Sequence, residues 1–203
     1  MTQRKRISRI PLIQDVSAID LLLLDHQYLK GCIEILVDED ADKSAKFSVA
    51  KGFLEAVNIH SLAEKRAIYA PLESNEELHF NILEAEIEHG IIDQKVRSLK
   101  LKVANSRTLK DELEAELKVL AELLKHHLLE EEGEVFPKMK AEVDEQGLIE
   151  MGQMFMKLRK FTPDDLAGFP VLEDELIQWK DSVQKLNAKF FSRMDKYVEN
   201  LKH

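Results

Sequence analysis

A single cysteine, Cys32, stands among 203 residues, which leaves no internal disulfide framework and no cysteine-rich zinc site to build. A reducing cytoplasm is the expected compartment. Basic patches are lacking too: the net charge is -9 with no basic stripe to offset it, so no nucleic-acid partner is expected. Long apolar runs are missing. The opening Met1-Thr2-Gln3-Arg4-Lys5-Arg6 is basic, but the longest apolar run near it is Leu21 to Leu24, too short for an export signal or a membrane span. Glycine and proline are scarce, at seven and five, and no window shows sustained alternation of β-branched residues. An all-α chain is expected.

The length fits one compact domain, or a domain with an appendage. A first helix is expected from near Asp15 or Ser17 to about Val37, closed by the polar turn Asp38-Glu39-Asp40-Ala41-Asp42. A second runs from about Lys43 to Ala70 and stops at Pro71. Ser74-Asn75-Glu76-Glu77 has the Ser-x-x-Glu spacing of a capping box and opens a third helix reaching about Ala104. After Asn105-Ser106, a fourth carries Leu109 to about Glu132, with Gly133 near its end. Short links make consecutive helices antiparallel neighbours, so an up-down-up-down four-helix bundle is expected over 15–140. Residues 141–203 form a C-terminal helical extension: a weaker stretch at about Glu145 to Lys160, a cap-like Thr162-Pro163, and a final helix from about Leu172 to Asn200. In that last helix Leu176, Trp179, Val183, Leu186, Phe190, Met194 and Val198 recur at helical spacing. Such a stripe has to be buried, on the bundle or on a second subunit in a homodimer.

One pattern occurs twice. His60-Ser61-Leu62-Ala63-Glu64 is followed by Tyr69 and Pro71, and His127-Leu128-Leu129-Glu130-Glu131 by Phe136-Pro137. Positions i and i+4 share a helix face, so each copy aims an imidazole and a carboxylate the same way. His26 and His89 join them on apolar faces, the first among Leu22, Leu23, Leu29 and Ile33, the second among Ile82, Ala85, Ile92 and Val96. Counting residues to the turns, the level of the four histidines drifts by only roughly 6–8 Å per crossing, at about 1.5 Å per residue. A lone histidine on such a face is more often a hydrogen-bonded core residue than a ligand. Four at one level, with two inward glutamates that would each cost several kcal/mol if left unpaired, point to a metal centre instead. The ligand set is His26, His60, Glu64, His89, His127 and Glu131. His126 lies about 100° off that direction and His79 roughly 15 Å away along its helix, while Glu130, Glu132 and Glu134 have the look of a solvated face.

Imidazole and carboxylate donors without thiolate suit iron, manganese or zinc. With two ions, each holding two histidines, Glu64 and Glu131 bridging, and an oxo or hydroxo group between them, one position stays open for O2, peroxide, NO or water. These residues resemble the hemerythrin-like, or HHE cation-binding, domain family: Asp25-His26, His60 with Glu64 and Tyr69/Pro71, Glu88-His89, and His127 with Glu131 and Phe136-Pro137. The resemblance covers about residues 17 to 140 and implies a non-haem di-iron centre that binds O2 or senses oxygen, iron or nitric oxide. One branch repairs iron–sulfur clusters, but it carries a cysteine-bearing N-terminal region that this sequence does not show. Oxygen-carrying members use a second histidine four residues from that of the third helix, where this chain has Ala85 and Asp93. Their fourth helix also uses a longer His-to-Asp spacing. Glu86 or Asp93 is the available replacement. The expected function is a cytoplasmic di-iron protein that binds or senses O2, NO or iron. The alternative is a di-iron enzyme or cluster-repair-type protein acting on peroxide or NO.

Overall fold

The computed structural model describes residues 16–159; the Thr162-Pro163 cap and the final helix expected over 172–200 lie outside the described residues. All regular structure among the described residues is helical. Helix α1 (Ala18–Val37) opens on Ser17, whose hydroxyl accepts from the Ile19 N–H at 3.2 Å, satisfying one of the donors that a helix start leaves open. Helix α2 (Lys43–Glu64) follows a short acidic turn. Helix α3 (His79–Ala104) does not start from the expected capping box. Asn75 instead holds the turn that leads into it, its Oδ1 accepting from the Glu77 and Leu78 N–H groups at 3.0 and 3.1 Å. Helix α4 (Asp111–Glu130) carries three acidic residues in its first turn, where the helix dipole favours them.

Helix α2 does not stop at Pro71, and α4 does not end near Gly133. Helix α2 runs on through a π-helical turn (Lys65–Tyr69) into Ala70–Leu72, and α4 through a π-helical turn (Glu131–Val135) into Phe136–Glu142. Proline lacks an N–H, and its ring presses on the carbonyl four residues back in a regular α-helix. In the widened turns the Ala70 N–H reaches Lys65 and the Phe136 N–H reaches Glu131, five residues back in each case. The looser winding accommodates Pro71 and Pro137 without ending the helix.

The four long helices pack in chain order around one core, α1 on α2, α2 on α3, α3 on α4, and α4 back on α1. Helix α5 (Glu145–Arg159) lies across α1 and α2. It approaches closely because residue 152 is glycine: a Cβ there would meet the Val16 carbonyl oxygen at 2.2 Å. Two apolar clusters fill the interior. One holds Leu29, Ile33, Phe53, Val57, Ile92, Val96, Leu120 and Leu124; the other holds Ile19, Leu22, Ile68, Ile82, Phe136, Met139 and Phe155. Between them in sequence, on all four long helices, lie the buried polar side chains His26, His60, Glu64, His89, His127 and Glu131. No helix of the described residues is long and apolar enough to cross a membrane.

Candidate metal centre

All six side chains expected to converge are brought together. His26, His60, Glu64 and Glu131 form one group whose donor atoms lie within 4.8 Å of one another, and Glu64, His89, His127 and Glu131 form a second. Both glutamates belong to both groups. The four imidazoles turn their Nε2 atoms toward these carboxylates: His26 to Glu131 at 3.3 Å, His60 to Glu64 at 3.3 Å, His89 to Glu64 at 3.4 Å and His127 to Glu131 at 3.3 Å. His89 Nε2 and His127 Nε2 also face each other at 2.6 Å.

Each Nδ1 points outward to a partner, and the partners follow one rule. Asp25, beside His26 on α1, meets His60 of α2 at 3.3 Å. Ser61, beside His60, faces His89 of α3 at 3.5 Å. Glu88, beside His89, meets His127 of α4 at 2.7 Å, and Glu132, beside Glu131, meets His26 of α1 at 2.9 Å. A neighbour in sequence is turned about 100° round its helix, so it faces the adjacent helix just where that helix presents its histidine. The result is a closed ring of orienting contacts around the bundle. Such partners fix which imidazole nitrogen is free to bind a metal. They are held in turn: Arg159 of α5 pairs with Asp25, Lys30 with Glu132, and Lys65 with Asp93, which accepts from the Ser61 hydroxyl at 2.8 Å. Glu132 was expected on a solvated face and is instead bonded to His26, because it continues the ligand-bearing turn toward α1.

The aromatic residues that trail the two glutamates close over the imidazoles. Tyr69 lies 5.4 Å from the His89 ring and Phe136 5.4 Å from the His26 ring, centre to centre. Phe155 of α5 adds an edge contact to His60. Tyr69 also donates its hydroxyl to Glu131.

Burial would lower every imidazole pKa and raise every carboxyl pKa. For His60 the charge of Glu64 and the bond to Asp25 outweigh burial and carry the pKa to about 10. Glu131 and Glu88 do the same for His127, also to about 10, and Glu131 with Glu132 raises His26. His89 goes the other way: burial lowers it, and Glu64 does not make up the loss. Asp25 is held at about 2 against its burial, chiefly by Arg159. His60 and His127 pull Glu64 and Glu131 below the usual carboxylate range.

The residues fit a bound metal on a point of chemistry. His26 Nε2, His60 Nε2, both oxygens of Glu64 and Glu131 Oε2 are buried and have no hydrogen-bond partner. Buried polar atoms left without a hydrogen bond are costly, and an ion between them removes the cost. Other candidates stand apart. His126 is exposed beside Glu130 and Glu88, and His79 is exposed and bonded to the Glu73 carbonyl. Glu86 is exposed, and Asp93 is committed to Ser61 and Lys65. Sequence reasoning singled out the six inward residues but gave no role to Ser61 or Glu132; the signal for them was adjacency to a ligand.

A family model described as Hemerythrin HHE cation binding domain matches residues 17–139. No curated protein and no solved structure matches the chain.

Proposed function

Since that match spans more than half of its length, the chain belongs to the hemerythrin HHE cation-binding domain family, and we propose that its core holds two iron ions and binds or senses O2, NO or iron. The observation that carries this reading is the sharing of Glu64 and Glu131 by two four-residue donor groups. In this reading His26 and His60 serve one ion, His89 and His127 the other, and both carboxylates bridge, with an oxo or hydroxo group completing the pair. Manganese or zinc suits the same donors. Iron so held supplies electron exchange and an open position for a small ligand. The chain does the rest: the orienting ring fixes the imidazoles, and Phe136, Phe155 and Tyr69 wall the centre against water. The proposal includes an up-down-up-down bundle over 15–140, with 141–203 as an extension, working in the cytoplasm.

Sensing or scavenging is favoured over reversible carriage, because no fifth imidazole joins the centre among the described residues. Ala85 is buried as carbon, Glu86 is exposed and Asp93 is engaged elsewhere. Protein isolated without chelators is expected to contain about two iron per chain and to show the near-ultraviolet absorption of a bridged ferric pair. Folded protein without transition metal overturns the reading. After anaerobic reduction, O2 is expected to give a ferric spectrum that degassing does not reverse; return to the ferrous spectrum restores a carrier role. Catalytic turnover of peroxide or NO moves the reading to the enzyme or cluster-repair alternative.

A further inference from the structure

Helix α3 is apolar on two opposite faces. One face, with Ile82, Ala85, Ile92, Val96 and Leu99, is buried in the bundle. The other carries Phe80, Leu83, Ile87 and Ile91, between 42 % and 74 % exposed, with Leu101 at 68 % further along. At 100° per residue these five fall within an arc of about 80°. From Phe80 to Ile91 the stripe is unbroken, before Gln94 and Ser98 interrupt it, and a helix surface seldom leaves such an apolar stretch uncovered.

We propose that residues 172–200 of the same chain lie antiparallel along this outer face of α3. Three observations choose that occupant. The first is spacing: Leu186, Phe190, Met194 and Tyr197 follow one another at steps of 4, 4 and 3, the reverse of the 3, 4 and 4 between Phe80, Leu83, Ile87 and Ile91. One antiparallel register sets Leu176 opposite Leu101, Leu186 opposite Ile91, Phe190 opposite Ile87 and Met194 opposite Leu83, as the seam of a two-helix coil requires. The second is charge. The exposed part of α3 near the stripe's start is acidic, with Glu84 and Glu86, and its far end is basic, with Lys100 and Lys102. The tail runs acidic at Glu173-Asp174-Glu175 and then basic at Lys185, Lys189 and Arg193. Only the antiparallel direction pairs opposite signs, setting Glu86 between Lys189 and Arg193 and Lys102 near Glu173 on the same flanks of the seam.

The third is reach. The described chain ends at Arg159, beside Asp25 at the level of the metal centre. Twelve residues, 160–171, span up to about 40 Å, enough to pass round the bundle and about 20 Å along it to the end of α3. So short a tether gives a high local concentration that favours the chain's own tail over a second copy.

The test uses the full-length protein with the pair Ile87→Cys and Phe190→Cys under mild oxidation. A disulfide within one chain, seen as a faster monomer on a non-reducing gel, is expected, while Ile87→Cys with Lys185→Cys, which lies off the stripe, gives little. Equal cross-linking of both pairs, none at all, or disulfide-linked dimers overturn the proposal, the last by assigning the face to a second copy. Separately, Ile87→Glu is expected to speed tryptic cleavage within 180–196 about tenfold or more by raising the undocked population, with the helical circular dichroism of the bundle retained. An unchanged cleavage rate overturns it as well.

Discussion

His26 and His89 hold equivalent places in the two halves of the centre. Each is the inward histidine of a helix that carries no His-x-x-x-Glu pattern, each turns Nε2 to a shared glutamate, and each lies under the aromatic residue five positions after a glutamate of a neighbouring helix. Yet His26 is raised and His89 lowered. Besides burial and the charge of His127, which lies against His89 and lowers it, the two differ one residue beyond the glutamates. After Glu131 comes Glu132, whose carboxylate meets His26; after Glu64 comes Lys65, which offers no acceptor and pairs with Asp93. His89 is left with the Ser61 hydroxyl at 3.5 Å, which is itself donating to Asp93. The aromatics differ as well, since Tyr69 gives Glu131 a hydrogen bond that Phe136 has no hydroxyl to match. A repeated motif thus builds two halves with the same donors and different basicity. Part of the difference lies in residues that touch no metal.

The largest expected effect tests what the halves share. Because Glu64 and Glu131 each belong to both donor groups, Glu131→Ala is expected to lower the iron content toward zero, whereas His26→Ala leaves about one iron in the other half, with lost ligands weakening binding in proportion to the site they complete. Metal analysis of the two purified variants reads this directly. Half-loading of Glu131→Ala breaks the sharing.

Much of this centre is legible from residue pattern alone, and the part that is not has a geometric reason. The inward faces follow from 3.6-residue periodicity, so His26, His60, Glu64, His89, His127 and Glu131 could be picked from apolar surroundings. The orienting partners could not, because Asp25, Ser61, Glu88 and Glu132 lie on the flanks of their helices, and only the packing order of the bundle turns a flank toward a neighbour's histidine. Pro71 read as a helix stop and Gly133 as the mark of a helix end, since a single sequence does not reveal that a π turn will carry the helix through. Ser74 read as a cap because the Ser-x-x-Glu spacing is generic; Asn75 instead holds the turn that leads into the helix. Helix α5 was expected as a weak helix, but its part in holding Asp25 through Arg159 depends on a contact across 134 positions.

The pH dependence sharpens the comparison next. His60 and His127 have folded values of about 10 against an ordinary 6.5, so their protonated forms stabilise the metal-free fold fully below pH 6.5, and that contribution is lost as pH rises through 10. A metal needs the neutral imidazole, so affinity runs oppositely and climbs across the same window. In the first half both His26 and His60 must give up protons; in the second only His127 must, because His89 is already lowered. The logarithm of zinc affinity is expected to rise more steeply with pH at the His26–His60 half than at the other, where one proton fewer is displaced. Calorimetric titration of His127→Ala and His60→Ala, in buffers of different ionisation enthalpy, counts the protons released. Equal counts would make the halves alike after all.

A smaller effect is expected from the partner of His60. Asp25 is buried, ionised, and clamped by Arg159, so Asp25→Ala frees the imidazole to rotate and removes the charge that raises its basicity. Metal affinity at the first half is expected to fall about 10- to 100-fold. The second half keeps its affinity. Competition with a chromophoric chelator resolves the two, and an equal fall in both halves would show Asp25 acting through the fold rather than through His60.

The smallest expected effect falls on the weaker arm of the ring. The Ser61 hydroxyl stands 3.5 Å from His89 Nδ1 and its own proton is committed to Asp93, so it accepts a long, neutral hydrogen bond. Removing a neutral bond of that kind costs at the low end of about 0.5–1.5 kcal/mol, and Ser61→Ala is expected to weaken the second half only about two- to threefold. The substitution leaves Asp93 paired with Lys65 and opens no large cavity. Ser61→Asp goes further, because it places a carboxylate where His26 has that of Glu132, and is expected to raise the His89 pKa and steepen the pH dependence of the second half toward that of the first. The imidazole resonances of metal-free protein, followed by NMR across pH, report the His89 value. If His89 in Ser61→Asp still titrates below 6.5, the flanking residue is not what separates the halves, and burial with the charge of His127 sets His89 apart.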